Sequence, residues 1–171
     1  GNQPLTSRQQ KLQTLADELN WKLDTSISLF VTNFNPFHLF RFQTVDKSYN
    51  KISGSVNGLN LSILDIDFHQ GELHTKVESQ STIALIDLEE RLPLFTIERE
   101  HMLDKLAALA GYDDIDFKNF KQFSSKFHLK GENEEGVRAF FKPEVVSFME
   151  QNLVYRVESI GNQLLLMKTN R

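Results

Sequence analysis

The stretch LDIDFHQGELHTK, residues 64–76, carries a dense group of side chains that could bind a metal ion. Within ten residues it contains three acids and two histidines, namely Asp65, Asp67, Glu72, His69 and His74. Carboxylate and imidazole ligands in one site suit a first-row transition metal. The first question is whether the elements that carry these side chains can bring them together.

Side-chain alternation places Asp65, Asp67 and His69 on one face if the strand is regular. The apolar face changes near Ile63 and Leu64, so either a bulge intervenes or the sheet is covered on both faces in its middle. Both arrangements put the three residues on a solvent-exposed face near the strand's end. Three side chains at alternate positions of one strand span about 13 Å from first to last, so a single ion would be bound more easily by two of them. A hairpin loop around Gly71 would instead let Asp67, His69 and His74 converge. The stretch matches no fixed metal motif such as H-E-x-x-H, which favours a polar turn over a metal site.

Composition and motifs exclude several other chemistries. The 171 residues include no cysteine, so disulfides and thiolate sites are excluded. The net charge of −4 argues against nucleic-acid binding, and no phosphate-binding loop or nucleophile elbow is present. Lys118, Lys121 and Lys126 interleave with phenylalanines, a pattern more typical of a core stripe than of a lipid or nucleic-acid surface. We predict no cofactor.

The first half of the chain predicts one helix followed by strands. Apolar residues at helical spacing indicate a helix from about 8 to 22, with Ser7 and Gln10 as its capping box. Residues 27–97 break into four or five short apolar runs, which we interpret as an antiparallel meander. Asn57-Gly58 between two of these runs is a strong hairpin signal.

The second half predicts a mixture of short elements. A stripe ending before Gly111 indicates a helix that begins at Thr96 or Glu98. A turn and then a strand over 125–130 follow, and two short helices come next, with Pro143 at the first position of the second. A hairpin around Gly161 closes the chain. The sum is an α+β fold with an antiparallel sheet of about six to eight strands and helices mainly on one face.

We expect one domain over residues 1–171, in which residues 1–6 are a linker or tag remnant, because this length buries a sufficient core. No apolar run approaches the roughly 18 residues that span a bilayer. The chain itself is therefore expected to be a soluble domain.

Eight stretches between about residue 8 and the chain's end form a recognisable series: LADELNW (15–21), PFHLFRFQ (36–43), ISGSVNGLNLSILDIDF (52–68), LPLFTIERE (92–100), DDIDF (113–117), FSSKFHLKG (123–131), EEGVRAFF (134–141) and IGNQLLLM (160–167). The series resembles a bacterial domain family of unknown function. In the members it resembles, the domain typically follows predicted transmembrane helices. The family tends to have FDYxY where this chain has LDIDFHQ, so Asp67 and His69 look particular to this protein.

The resemblance implies a non-enzymatic domain of a membrane-associated bacterial protein, with an interaction or regulatory role. Its membrane contact would come from segments outside this chain, its side would be cytoplasmic, and its partner would be a protein or a membrane-proximal assembly. The alternative hypothesis is a metal-binding or metal-dependent hydrolytic domain centred on Asp67, His69 and His74.

Overall fold

The computed structural model describes residues 3–29, 31–41, 43–99, 114–152 and 156–169. Within these residues the α-helices are α1 (Ser7–Leu19), α2 (Lys121–Lys126), α3 (Glu134–Phe140) and α4 (Pro143–Gln151). The strands are β1 (Lys22–Asp24), β2 (Ser28–Leu29), β3 (Thr44–Val56), β4 (Leu59–Gln70), β5 (Val77–Asp87), β6 (Phe95–Arg99), β7 (Phe127–Gly131), β8 (Arg156–Ile160) and β9 (Gln163–Thr169). Short 3₁₀ helices span His38–Arg41 and Leu73–Thr75.

All nine of these strands belong to one antiparallel sheet. Eight follow the order β1–β3–β4–β5–β9–β8–β6–β7, and β2 pairs with β3 next to β1. The predicted α+β class is confirmed, as are the meander (β3–β4–β5) and the C-terminal hairpin (β8–β9). The sheet has one strand more than the predicted range because β1 and β2 are too short to show a sequence period.

The sheet buries a separate hydrophobic cluster on each face. One cluster joins β6, β7 and β8 to the side chains of α2, α3 and α4. The other lies on the opposite face, where the segment 31–41 covers β4, β5 and β9. Strand β9 serves both clusters, since Leu165 and Met167 point into the second while Leu164 and Leu166 pack against the first. We call these two surfaces the helix face and the loop face.

Helix α1 lies on the helix face, as α2–α4 do. Arg8 contacts Asp65 and Thr82, which pair across β4 and β5 and alternate with Leu64 and Ile83 of the loop-face cluster. The prediction that the helices lie mainly on one face agrees with this arrangement. At its far end α1 leads into Trp21, whose indole ring packs over Gly54 of β3.

Several predicted boundaries were wrong. Helix α1 ends at Leu19 instead of residue 22, and its capping box is Thr6 with Gln9, one residue before the predicted pair. Thr96 and Glu98 do not open a helix, because they belong to β6, where strands on both sides bury them. The rest of that predicted helix falls outside the described residues.

The aromatic stretch before β7 also departs from prediction. Residues 121–126 form α2 instead of a turn, which places Phe123 in the core, and the strand begins at Phe127. The predicted pair of short helices is confirmed as α3 and α4, with Pro143 at the start of α4.

Gly54 is required by the Trp21 ring. A β-carbon added there would lie 2.2 Å from the ring's Cδ1 atom, well inside contact distance. The substitution Gly54→Ala should therefore lower the free energy of unfolding by about 1–3 kcal/mol, the usual cost of overpacking. Urea denaturation followed by circular dichroism measures this change.

Gly136 in α3 provides the matched control. A β-carbon there meets its nearest neighbour at an ordinary 3.5 Å. Gly136→Ala should raise stability by about 0.5–1 kcal/mol, since alanine favours the helix. Equal effects of the two substitutions would contradict the proposed packing of Trp21 on Gly54.

Candidate functional site

Asp65 lies at the centre of a buried polar network between α1 and the sheet. Its side chain is 1% exposed and accepts four hydrogen bonds. Arg8 donates two of them at 2.7 Å each, Asn50 donates one at 2.9 Å, and Thr82 donates one at 2.8 Å. The hydrogen bond to Asp65 raises the pKa of Arg8. We call Arg8, Asn50, Asp65 and Thr82 the α1 clasp.

A β-bulge in β3 brings Asn50 into the clasp. The register with β4 shifts between Tyr49 and Ile52, and Asn50 adopts a left-handed backbone with φ of 53°. Asparagine tolerates this conformation better than most residues. The bulge turns the amide so that it donates to Asp65 and accepts from Gln9 of α1 at 3.0 Å.

The prediction that Asp65 is solvent-exposed was wrong. Strand β4 itself is regular, and its pairing with β5 runs without a shift from Asn60 to Gln70. Of the two arrangements considered, the one without a bulge in β4 is therefore present, but α1 covers the polar face at Asp65. The apolar stripe of α1 gave no sign that an arginine would bind a carboxylate beneath it.

We expect Arg8→Met to destabilise the protein by about 3 kcal/mol, because it leaves a buried carboxylate without its cation. The double variant Arg8→Met/Asp65→Asn should cost less than Arg8→Met alone. Chemical denaturation gives both values, and hydrogen exchange should show α1 losing protection first.

Arg138 is a matched control for Arg8, since both side chains are 41% exposed. Its partner Glu134 is 63% exposed, so the pair resembles an ordinary surface i,i+4 contact. Arg138→Met should cost no more than about 1 kcal/mol. Equal losses of stability in Arg8→Met and Arg138→Met would show that the burial of Asp65 does not strengthen its contact with Arg8.

The three predicted metal ligands lie near one end of the β4–β5 hairpin, where Asp67 and His69 bind different partners. Asp67 accepts a hydrogen bond from Tyr49 at 2.5 Å and lies 3.4 Å from the ammonium of Lys47. A second bulge in β3 turns Asp46 toward the Nδ1 atom of His69, at 2.9 Å. His74 lies beyond both, exposed in the 3₁₀ helix Leu73–Thr75.

This arrangement gives no support to the metal-site hypothesis. Across the described residues, no group of three or more histidine and acidic side chains is placed to hold a metal ion. Asp67 lines a polar depression of ≈830 Å³, to which Asp46, Glu78, Lys47 and Lys76 also contribute. Its carboxylate is already paired with a lysine and a tyrosine.

A second buried charge cluster lies on the loop face. Arg156 of β8 bonds Glu98 of β6, and its Nε atom donates to Glu158 at 2.9 Å. All three residues are at most 3% exposed. Burial lowers the pKa of Arg156, while its contact with Glu158 opposes that change.

Glu158 also holds the segment that covers the loop face. Its two carboxylate oxygens accept the backbone N–H groups of His38 at 2.8 Å and Leu39 at 2.9 Å. Phe37, Leu39 and nearby apolar residues then pack onto the sheet. The cluster therefore orients the covering segment and satisfies its backbone donors in a buried place.

Arg156→Met should destabilise the protein by about 3–5 kcal/mol, because two carboxylates remain buried without a cation. The triple variant with Glu98→Gln and Glu158→Gln should recover a large part of that loss. Thermal and urea unfolding of both variants measure the recovery. A triple variant that is less stable than Arg156→Met would show that the charges are not what couples the three residues.

The sequence-based predictions missed both networks, although the strands carry a signal for them. Arg156 and Glu158 are opposite charges at i and i+2 on either side of Val157, so they share one face of a strand. Asp65 likewise lies between Leu64 and Ile66. Charges placed inside apolar strands indicate buried pairs, although the partners come from distant segments.

The fold and these networks together define an α+β domain built on one nine-stranded antiparallel sheet within the described residues. No family model matches the chain, and no curated protein sequence matches it. Among solved structures, the crystal structure of the mycobacterial trehalose monomycolate transport factor A, TtfA, is similar, with a TM-score of 0.62. The match covers 94% of this chain and 81% of that chain at 10% sequence identity, which establishes a shared fold. None of the described helices is long and apolar enough to cross a bilayer.

Proposed function

We propose that this chain is a non-enzymatic interaction domain that works beside a membrane, within a transport-associated assembly of a bacterial protein. The observation that carries the proposal is the likeness of its fold, over 94% of the chain, to a factor named for its role in transport. The proposal also takes up the expectation, from the sequence resemblance, that such a domain follows transmembrane helices, although no family model matches the chain. In this proposal, segments outside residues 1–171 provide the membrane attachment.

The use of buried polar groups supports a scaffold role. Asp65 holds α1 and Glu158 holds the segment 31–41, so both carboxylates serve to fix covering elements on the sheet. The outer surface meanwhile presents apolar side chains, among them Leu15 and Leu19 on α1 and Phe148 on α4, which is 53% exposed. Rigid elements that display apolar side chains are suited to partner binding.

Fractionation of cells that express the full-length protein tests the membrane part of the proposal. We expect it to remain with membranes after alkaline carbonate washing, whereas residues 1–171 alone should be released. Recovery of the full-length protein in the carbonate supernatant would refute attachment by an integral segment.

Site-specific photocrosslinking tests the interaction part. A photoreactive phenylalanine analogue at Leu15 or Phe148 of the full-length protein should give a discrete adduct with another membrane protein. The same analogue at exposed Lys118 is the control. If neither apolar position gave an adduct above the level of Lys118, these surfaces would not be partner sites.

A further inference from the structure

The β4–β5 hairpin ends in a tip with two outward apolar side chains. Leu73 is 87% exposed and Val77 is 62% exposed. Every residue from Gln70 to Glu78 is exposed. Residues 71–76 lie beyond the last pairs that β4 forms with β3, at His69, and with β5, at Gln70.

The tip is held in one conformation by its own backbone. Thr75 donates its N–H and its hydroxyl to the carbonyl of Glu72, at 3.1 and 3.0 Å. The N–H of Lys76 donates to the carbonyl of Leu73. Gly71 lies so close to Thr75 that an added β-carbon would be 2.6 Å from its carbonyl oxygen. The two apolar side chains are therefore presented by a closed turn.

Leucine is an unfavourable residue type for the backbone conformation at position 73. Its φ is 50°, in the left-handed region, where glycine or asparagine costs less than leucine. The side chain gains little from packing, because 87% of it is exposed. Leucine at this position costs stability and gains little burial within the domain. Burial of its side chain against a second surface would explain its presence.

The direction of α1 shows where this tip points relative to the chain's entry into the domain. The start of α1 lies over the middle of β4, since Arg8 binds Asp65 and Gln9 binds Asn50. Its end leads to Trp21 over Gly54, near the opposite hairpin. The helix therefore runs away from the tip, and the segment before Thr6 lies toward the same end of the sheet as Leu73.

We propose that the β4–β5 tip contacts the lipid bilayer, with Leu73 and Val77 inserted at the level of the headgroups. The proposal rests on the function proposed above and takes the membrane attachment to lie upstream of α1, at the end of the sheet where the tip lies. A bilayer accepts two protruding side chains without a complementary pocket. The charged side chains near the tip are Glu72, Lys76 and Glu78, of which only Lys76 is positive. Insertion therefore depends on apolar contact and not on attraction to anionic lipid.

Two side chains give only weak binding. Even one myristoyl chain gives marginal, reversible attachment. The contact therefore needs a tether that raises the local concentration of the tip at the surface. Its effect is to fix the orientation of a domain already attached to the membrane.

Because the chain has no native cysteine, a single reporter can be placed at the tip. Val77→Cys labelled with an environment-sensitive nitrobenzoxadiazole dye would report insertion, and Phe148→Cys on α4 is the matched control. Each protein is tethered through an N-terminal histidine tag to vesicles of phosphatidylethanolamine and phosphatidylglycerol that contain a nickel-chelating lipid. We expect a blue shift and a gain in emission at position 77 and neither at position 148.

Leu73→Asn separates lipid contact from folding. Asparagine suits the left-handed backbone, so the variant should melt at the same or a higher temperature. It should nevertheless lose the emission change of the dye at position 77. Varying the phosphatidylglycerol fraction should leave the wild-type signal unchanged.

Three outcomes would overturn the proposal. They are an unchanged spectrum at position 77 on vesicles, equal changes at positions 77 and 148, and a Leu73→Asn variant that keeps the full signal. Carbonate-resistant membrane attachment of the full-length protein combined with a silent tip would reject the lipid contact and leave the proposed function standing. A photocrosslink from position 73 to a membrane protein, with no vesicle signal, would assign the tip to a protein partner instead.

Discussion

A buried carboxylate stays charged only when hydrogen-bond donors and a cation lie close to it. This requirement determines how both faces of the sheet are covered. On the helix face, Asp65 meets it with Arg8 of α1 and with an asparagine displaced by a β-bulge. On the loop face, Glu158 meets it with Arg156 and two backbone N–H groups of the covering segment. In both places the element that covers the sheet donates hydrogen bonds to the carboxylate beneath it. Such pairs add little net stability compared with apolar packing, but they leave a covering element few alternative positions.

The class of the fold was predictable from the sequence because periodicity and turn chemistry are local. Asn57-Gly58 and Gly161 mark hairpins that the structure contains, and β4 has one of the two arrangements considered for it, the one without a bulge. The exposure of Asp65 was not predictable by the same means, since it depends on which element covers a strand. Arg8 reaches Asp65 from 57 residues away. No local pattern encodes that distance.

Asp67 and His69 of the candidate metal site have separate partners in the described structure, and a related reason explains why. Asp67, His69 and His74 are close along the chain, but binding one metal ion also requires their side chains to converge on one point. A bulge in the neighbouring strand instead turns Asp46 toward His69, while Tyr49 of the same strand binds Asp67. A bulge is set by pairing between strands and has no reliable signature within one of them. Density of ligand-type residues is therefore weaker information than their register.

The position of β9 has a consequence for how the domain forms. This strand lies in the interior of the sheet, between β5 and β8, and packs into both hydrophobic clusters, yet it is the last of the described strands in sequence. During synthesis, β3–β4–β5 and β6–β7 emerge before the strand that joins them. The two halves must wait as separate sheets with open edges until β9 leaves the ribosome. Until then each half exposes strand edges, which favour aggregation.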